Sequence, residues 1–450
     1  MVTTSLTRSG YVVNPSDKDV KKELTVRPKV NGDFGFPPPP FKVFKEDKKK
    51  NLCMPQYYGR EKFGTPDSDN RPEPEKLSSP VQFKGKLRTE TRQVEAFDKA
   101  IEQGHGVLSL PCGFGKTTVG LAIACRLGYR TAVIVHKEFL MNQWKERIRQ
   151  FCPNASIGIV QRNKVDINKD FVIIMLQSLS QIEYSFDTFE TIGTVLVDEA
   201  HHICARVFSQ GLFKMCPRHI YGLSATPDRK DGLTCVLNWI VGPVFFSVER
   251  ENQAQIEVFP VPFDCPTFAA PPPCNRTGKI SLPTMITMLT EMENRNKLLI
   301  KIIKTASRGT RKVLVLSDRR EHCEWIRSKF PDISGLYMGG MKEAELQLSS
   351  EKKIIVGTFS QAHEGLDIPT LDTVILATPK SEIKQAIGRV MRETAGKKNN
   401  PHIWDFQDHW SVFNAMSMKR RKVYRTSGFL IHDQDQDEED CDNFKGKCLL

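Results

Sequence analysis

Apolar residues fall in short continuous runs separated by amphipathic stretches over most of the chain. Residues 106–110, 131–135, 171–176, 194–197 and 220–223 are such runs, rich in valine, isoleucine and leucine. Between them, residues 117–127 and 137–151 repeat apolar positions at helical spacing. Unbroken apolar strands alternating with helices predict a parallel sheet covered on both faces. The rhythm returns from about 281 to 429, with strands predicted at 312–316, 353–357 and 373–377. The fold class read from this pattern is α/β, built as two parallel-sheet lobes in one chain. No short sequence repeat accompanies the repeated architecture.

The first 80 residues break the pattern. They hold the proline run 37–40, three lysines at 48–50 and a loop-like stretch at 64–74. Yet residues 11–13, 24–30 and 41–44 carry apolar and β-branched residues in bursts, and Tyr57 and Tyr58 follow. This predicts a small β-rich N-terminal accessory module over 1–82, with a disordered arm as the alternative. The first lobe is expected over 83–248 and a linker over 249–283. Within the linker, residues 255–262 read as an edge strand and 265–274 as proline-rich connection. The second lobe is expected over 284–430. The acid-rich 431–450 predicts a disordered tail.

Composition sharpens this modestly. At 450 residues, two or three domains are expected. Hydrophobic residues at 39% suffice for real cores, and a net charge of +12 with a pI near 9.1 favours a polyanionic partner. The 12 cysteines form no Cys-x-x-Cys pair and no zinc-finger spacing, so reduced thiols in an intracellular setting are expected. The start MVTTSLTRSG lacks the apolar region of a secretory signal, and no apolar run reaches bilayer length. No membrane association is expected.

Candidate chemistry sits at the ends of the predicted strands. Leu110, Pro111, Cys112, Gly113, Phe114, Gly115, Lys116, Thr117 and Thr118 follow a strand and open a helix. In that context the glycines let backbone N–H groups wrap a phosphate, and the helix start adds a favourable dipole. Lys116 is placed to reach the β- and γ-phosphates of ATP, and the Thr117 hydroxyl to hold Mg²⁺. The common form of this loop has glycine at the position of Leu110. Asp198-Glu199-Ala200-His201 ends the run at 194–197, where a carboxylate faces the ligand crevice of a parallel sheet. Asp198 is the second expected Mg²⁺ ligand and Glu199 the base that activates water.

Taken in order, these boxes and those downstream resemble the superfamily 2 helicases. The loop string from Leu110 to Lys116 is similar to that of XPB-type DNA helicases. Ser224-Ala225-Thr226 resembles the motif coupling hydrolysis to nucleic-acid movement, which assigns Ser224 and Thr226 that role. Thr358 with Glu364-Gly365-Leu366-Asp367 resembles motif V, which adds Gly365 and Asp367 to the ATP site. Gln385-Ala386-Ile387-Gly388-Arg389-Val390-Met391-Arg392 resembles motif VI. The match spans about 83–425. The wording of HKEFLMNQW, YGLSATPDRKDG and SQAHEGLDIPTLDTVILATP resembles helicases of large DNA viruses, including the poxvirus transcript-release type.

The resemblance implies two RecA-like lobes with ATP and Mg²⁺ between them. Arg389 and Arg392 are then arginine fingers, and Gln385 and His201 a bridge. Gln93 is the residue expected to read adenine, although Thr89-Glu90-Thr91 replaces the usual Pro-Tyr before it. His136, Lys137, Gln177, Ser178, Thr358 and Ser360 are expected on nucleic-acid phosphates, with Arg229 and Lys230 adding charge. The basic residues at 419–422 stay open between a strand-binding surface and a solvated face. The implied function is an ATP-dependent helicase or translocase, on DNA rather than RNA, with 3′ to 5′ polarity, acting as a monomer. The implied setting is viral transcription, repair or replication, with transcription-machinery partners, in a virion or host cytoplasm, or otherwise a nucleus. An RNA helicase, a non-unwinding duplex translocase and a non-catalytic transcription subunit are the alternatives.

Overall fold

The computed structural model describes residues 2–29, 38–47, 49–79, 81–111, 113–229, 231–248, 256–276, 278–364, 368, 370–383, 387 and 399–433. The chain divides into two compact units, Met1–Glu249 and Arg250–Leu450. The fold is α/β, with a parallel RecA-like sheet in each unit.

The first unit opens with strands β1 (Thr3–Thr7), β2 (Gly10–Asn14), β3 (Thr25–Val26), β4 (Phe41–Lys42), β5 (Lys45–Glu46), β6 (Leu52–Met54) and β7 (Ser68–Asp69) and helices α1 (Lys18–Glu23) and α2 (Gln56–Phe63). Among the described residues five of these strands form one sheet, ordered β5-β6-β2-β1-β7. The β-rich character expected for this region is present. It is not a detached module, however. Phe41 and Val43 enter the apolar core of the neighbouring lobe. Tyr58 packs edge-on against Trp239, with ring centroids 5.3 Å apart, and Tyr57 stacks on His105 at 4.1 Å. Arg71 donates to the carbonyl of Pro217, and Arg218 pairs with Asp69 at 2.7 Å.

The lobe that follows is built from β8 (His105–Ser109), β9 (Thr131–Val135), β10 (Ile157–Gln161), β11 (Lys164–Val165), β12 (Phe171–Met175), β13 (Thr194–Asp198), β14 (His219–Ser224) and β15 (Val244–Ser247). Their order is β11-β10-β12-β9-β13-β14-β8-β15, parallel except for the β10–β11 hairpin. The central strands alternate between two cores. Ala132, Ile134, Val172, Ile174, Val195 and Val197 line one face, and Val133, Val135, Phe171, Ile173 and Leu196 the other. That is why they read as continuous apolar runs. Helices α3 (Gln93–Gln103), α4 (Lys116–Leu127), α5 (Glu138–Phe151), α6 (Leu176–Gln181) and α7 (Thr234–Val241) cover them.

In the second unit, β16 (Glu257–Phe263), β17 (Val313–Ser317), β18 (Ser334–Tyr337), β19 (Ile354–Thr358), β20 (Thr373–Leu376), β21 (His402–Asp408) and β22 (Leu430–Ile431) form an all-parallel sheet, ordered β18-β19-β17-β20-β21-β16-β22. The expected linker is corrected here. Strand β16 pairs with β21 over seven residues, and on its other flank only Glu257 and Val258 pair, with β22. Glu257 bonds towards β21, through Pro401, and Ile256 and Val258 towards β22. Pro260 and Pro262, even-numbered like Ile256 and Val258, therefore face the flank past the end of β22, where no N–H is needed. The strand expected at 255–262 is present, but it belongs to the sheet of the second unit and not to a linker. Residues after it also belong to this unit, since Phe268, Ile280 and Met285 pack with Trp410 and Phe413. The acidic tail from 434 lies outside the described residues.

Buried charge is part of this unit's core. Arg295, in the helix Glu293–Ala306, donates to both carboxylate oxygens of Asp408 at 2.6 and 2.9 Å, with both side chains fully buried, and to the carbonyl of Ala377. Arg420, one of the basic residues at 419–422, pairs with buried Asp405 at 2.8 Å and donates to the carbonyl of Phe406. That residue is neither solvated nor free for nucleic acid. His322 is buried between Ser317 (3.0 Å) and the Asn296 carbonyl oxygen (3.1 Å). The Asn296 amide nitrogen bonds to Thr290, which fixes that oxygen as an acceptor and puts the ring proton on Nε2. Burial, then the Arg295 charge, depresses the His322 pKa from 6.5 to about 3. Among the described residues no helix is long and apolar enough to cross a membrane.

Two predictions follow from this core. Asp408→Ala strands the Arg295 charge and destabilises the second unit by about 3–5 kcal/mol, seen as a lowered denaturation midpoint for that unit alone. His322 stays neutral when folded but takes a proton when unfolded once pH drops below about 6.5. Its contribution is therefore complete above that pH and is lost towards pH 3, at about 1.4 kcal/mol per pH unit. Melting of the second unit followed from pH 7 to 4 is expected to fall, and His322→Gln to flatten that slope.

Candidate active site

The phosphate loop leaves β8 and is tied at once to the end of β14, where Leu110 N–H donates to the Ser224 carbonyl at 2.8 Å. Gly113 and Gly115 have φ of +85° and +95°, a region side chains avoid. A Cβ on Gly115 would lie 2.6 Å from the Gln93 amide nitrogen. Gln93 is buried, donates to the Phe114 carbonyl and accepts from Arg88 N–H at 2.9 Å. Arg88 also donates to the Phe114 carbonyl. Gln93, expected to read adenine, thus ties the loop, through its amide nitrogen, to the backbone of Arg88, through its amide oxygen. Helix α4 starts at Lys116, with Gly115 at its N-cap and no side-chain cap there.

Strand β13 ends at Asp198, and Glu199 turns sharply away with φ of +47°. A non-glycine residue held there costs roughly 1–3 kcal/mol. The turn points Glu199 at Lys116, whose ammonium lies 3.1 Å from the carboxylate. Asp198 accepts from the Trp144 indole at 2.9 Å and from Glu199 N–H at 3.1 Å. Its pKa is raised, first by burial and then by the Glu199 charge, with Lys116 acting against both. A recessed carboxyl with raised proton affinity is a fitting partner for a metal ion, and Thr117 stands one residue past Lys116.

His201 links this pair to the third motif. Its Nδ1 is 3.1 Å from Ser224 Oγ and 3.6 Å from Glu199. Ser224 Oγ also accepts from Thr226 N–H at 3.2 Å, so both coupling residues predicted from the motif meet there. Arg229, expected to carry charge for nucleic acid, instead donates to the His201 carbonyl and pairs with Asp231. Lys230 lies outside the described residues.

The nucleic-acid positions are corrected in part. His136 follows β9, but its ring points inward and is 6% exposed. It packs on His202 at 3.9 Å, which packs on His201 at 4.3 Å. Neither ring nitrogen of His136 has a hydrogen-bond partner among the described residues. Burial is the main cause that lowers the pKa of His136 to about 4 and of His202 to about 3, so the stack is neutral. Sequence reasoning missed His202, although its place directly after the acidic box was a visible signal. The Gln177 amide donates to the His136 carbonyl at 2.7 Å. Ser178 is buried and accepts from Arg162 N–H at 2.8 Å, so its hydroxyl is not offered to a phosphate. Lys137 is half-buried, and burial lowers its pKa. In the second unit the Thr358 and Ser360 hydroxyls are 3.2 Å apart at the end of β19, Ser360 being exposed. Cys112, Gly365, Asp367, Gln385, Arg389 and Arg392 lie outside the described residues.

Two family descriptions match the chain. "Type III restriction enzyme, res subunit" covers residues 86–229, and "Helicase conserved C-terminal domain" covers 294–394. "Putative ATP-dependent RNA helicase L396" of Acanthamoeba polyphaga mimivirus is 33% identical over 96% of this chain and 86% of that protein. "Putative helicase 161L" of Invertebrate iridescent virus 6 is 31% identical over 78% of this chain and 83% of that protein. "Putative ATP-dependent RNA helicase QP509L" of African swine fever virus is 25% identical over 73% of this chain and 70% of that protein. Among solved structures, the crystal structure of T4 UvsW aligns with a TM-score of 0.36 at 17% identity, covering 96% of this chain and 98% of that one. With the first family match containing the geometry above, the second covering the helicase C-terminal domain, and a third of its residues shared with a mimivirus protein along almost its whole length, the chain belongs to the superfamily 2 helicases, enzymes that hydrolyse ATP.

Proposed function

We propose that this helicase moves along one nucleic-acid strand by ATP hydrolysis, with DNA as its track, 3′ to 5′ as its direction and viral transcription as its setting. The observation that carries the motor reading is the 3.1 Å pair between Lys116 and Glu199. The cation suited to ATP phosphates and the carboxylate suited to activating water neutralise each other. An entering triphosphate competes for Lys116 and releases Glu199 to accept a proton from water. The general base is thus held back until substrate arrives.

Asp198 and Thr117 would hold Mg²⁺, which when bound neutralises phosphate charge. Within the same reading, Arg389 and Arg392 stabilise charge growing on the γ-phosphate, the role that their resemblance to motif VI assigns. The DNA assignment rests on the likeness of residues 110–116 to XPB-type helicases. RNA is the second reading, favoured by the words "RNA helicase" in the names of two viral relatives.

Lys116→Ala is expected to weaken ATP binding and abolish polynucleotide-stimulated ATPase. Glu199→Gln separates the two roles. It frees Lys116, so ATP binds as tightly or more tightly, while single-turnover hydrolysis falls by about 10²–10⁴. Nucleotide titration and quenched-flow hydrolysis measure both; weaker ATP binding by Glu199→Gln contradicts the exchange. A basal rate unmoved by any DNA or RNA ends the motor reading. Strand displacement on DNA, RNA and hybrid duplexes with 3′ or 5′ overhangs decides track and direction.

A further inference from the structure

We propose that the β10–β11 hairpin is an additional nucleic-acid contact, gripping the backbone phosphates of a single strand through Arg162 and Lys164. The proposal rests on the motor reading above and extends its track in the first unit.

The hairpin is short and firmly held. Val160 pairs with Val165 and Gln161 with Lys164, leaving Arg162 and Asn163 as a two-residue turn. Arg162 has a φ of +52°, in the left-handed region where an asparagine or a glycine sits at far less cost. The strain is maintained by a bond from Arg162 N–H to Ser178 Oγ at 2.8 Å. Below the tip, Asp166 N–H donates to the Ile159 carbonyl at 3.0 Å. The side chains of Arg162, Asn163 and Lys164 are exposed. Among the described residues neither cation has an ion-pair partner.

Its position supplies the ligand class. Strands β10, β12 and β9 are adjacent and parallel, with Val160 opposite Ile174 and Met175 opposite Val135. Their C-terminal ends therefore lie side by side. Lys137 follows β9, Gln177 follows β12, and Arg162 follows β10. Three neighbouring strand ends span about 10 Å, enough to meet more than one phosphate of a strand. The bland reading is that β11 merely covers the edge of the sheet. Edge cover explains a short hairpin and a lysine, but not an arginine forced into a left-handed turn and anchored to the helix beside the expected phosphate contacts. Exposed cations held on a rigid tip bind phosphates without reading bases.

The test is anisotropy titration of a labelled oligothymidylate of about 20 nucleotides, without ATP, across a range of salt. Arg162→Gly with Lys164→Ala removes both charges while relieving the turn, so the protein should melt no lower than its parent. Affinity is expected to drop on the order of tenfold at about 0.1 M salt, and the slope of log affinity against log salt to shrink by about 1.4, the loss of two phosphate contacts on a single strand. Arg162→Lys should retain most of the slope. If affinity and slope stay unchanged in the double variant while Lys137→Ala weakens binding, the hairpin proposal is overturned and the motor reading stands. If the unsubstituted protein binds neither this strand nor its RNA counterpart, both fail.

Discussion

The first lobe is organised around one pair of charges, Lys116 and Glu199, and the sheet order explains why they can meet. The phosphate loop follows β8 and the acidic box follows β13, yet these strands are not neighbours. Strand β14 lies between them, and its last residue, Ser224, serves both sides. Its carbonyl accepts from Leu110 in the loop, and its hydroxyl touches His201 beyond the box. The third motif is the spacer across which Lys116 reaches Glu199. That reach also requires Glu199 to leave its strand in a left-handed conformation, a cost that secures the carboxylate's direction. Asp198 depends on the same pair, because Lys116 opposes the burial and repulsion that raise its proton affinity. In the proposed cycle, shifting the lysine to a phosphate would change the electrostatics of all three residues at once.

From the residues of that pair a contact route runs to the ends of β9, β12 and β10, the edge proposed to hold a strand. Glu199 neighbours His201, whose ring packs on His202, which packs on His136 at the end of β9. The His136 carbonyl holds Gln177, and the next residue, Ser178, holds the β10 turn. Rings this closely packed and buried resist becoming charged, since each imidazolium would repel the next in a poorly solvated place. Neutrality lets them pack as flat surfaces. Contact alone does not transmit a signal; two arrangements are also needed. The proposed exchange of Lys116 between carboxylate and phosphate would supply two electrostatic states at one end of the route.

Much of this was legible in the sequence, for a definite reason. Strands buried on both faces must be apolar throughout, so β9, β12 and β13 announced themselves, and polar residues directly after them had to lie at the ligand edge. Residue type and order along the chain therefore located Lys116, Asp198, Glu199, His201 and Ser224. Orientation was not legible. Whether His136 faces solvent or the lobe depends on His202, more than sixty residues away, and Ser178 is occupied by a turn in a different strand pair. Strand β16 was legible as an edge strand, because its prolines are tolerated where no N–H is required, but its place in the second sheet was not, since the flank left open beyond β22 is a property of the whole sheet. The N-terminal region read as a separate module because sequence shows that Phe41 and Val43 are apolar, not whose core they fill.

Net charge illustrates the same limit from the other direction. A surplus of +12 points to a polyanion, but it does not locate the footprint. Arg295 and Arg420 are spent inside the second unit on Asp408 and Asp405. Arg71 and Arg218 join the N-terminal sheet to its lobe through Asp69 and backbone, and Arg229 braces the acidic box. Each is counted in the surplus and none is available to a phosphate. Lys116 differs from these in its place at a strand end, where a parallel sheet also gathers its loops, and in a partner, Glu199, that is itself part of the candidate site. The polarity of the strands, more than the total charge, decides which lysines and arginines belong to function.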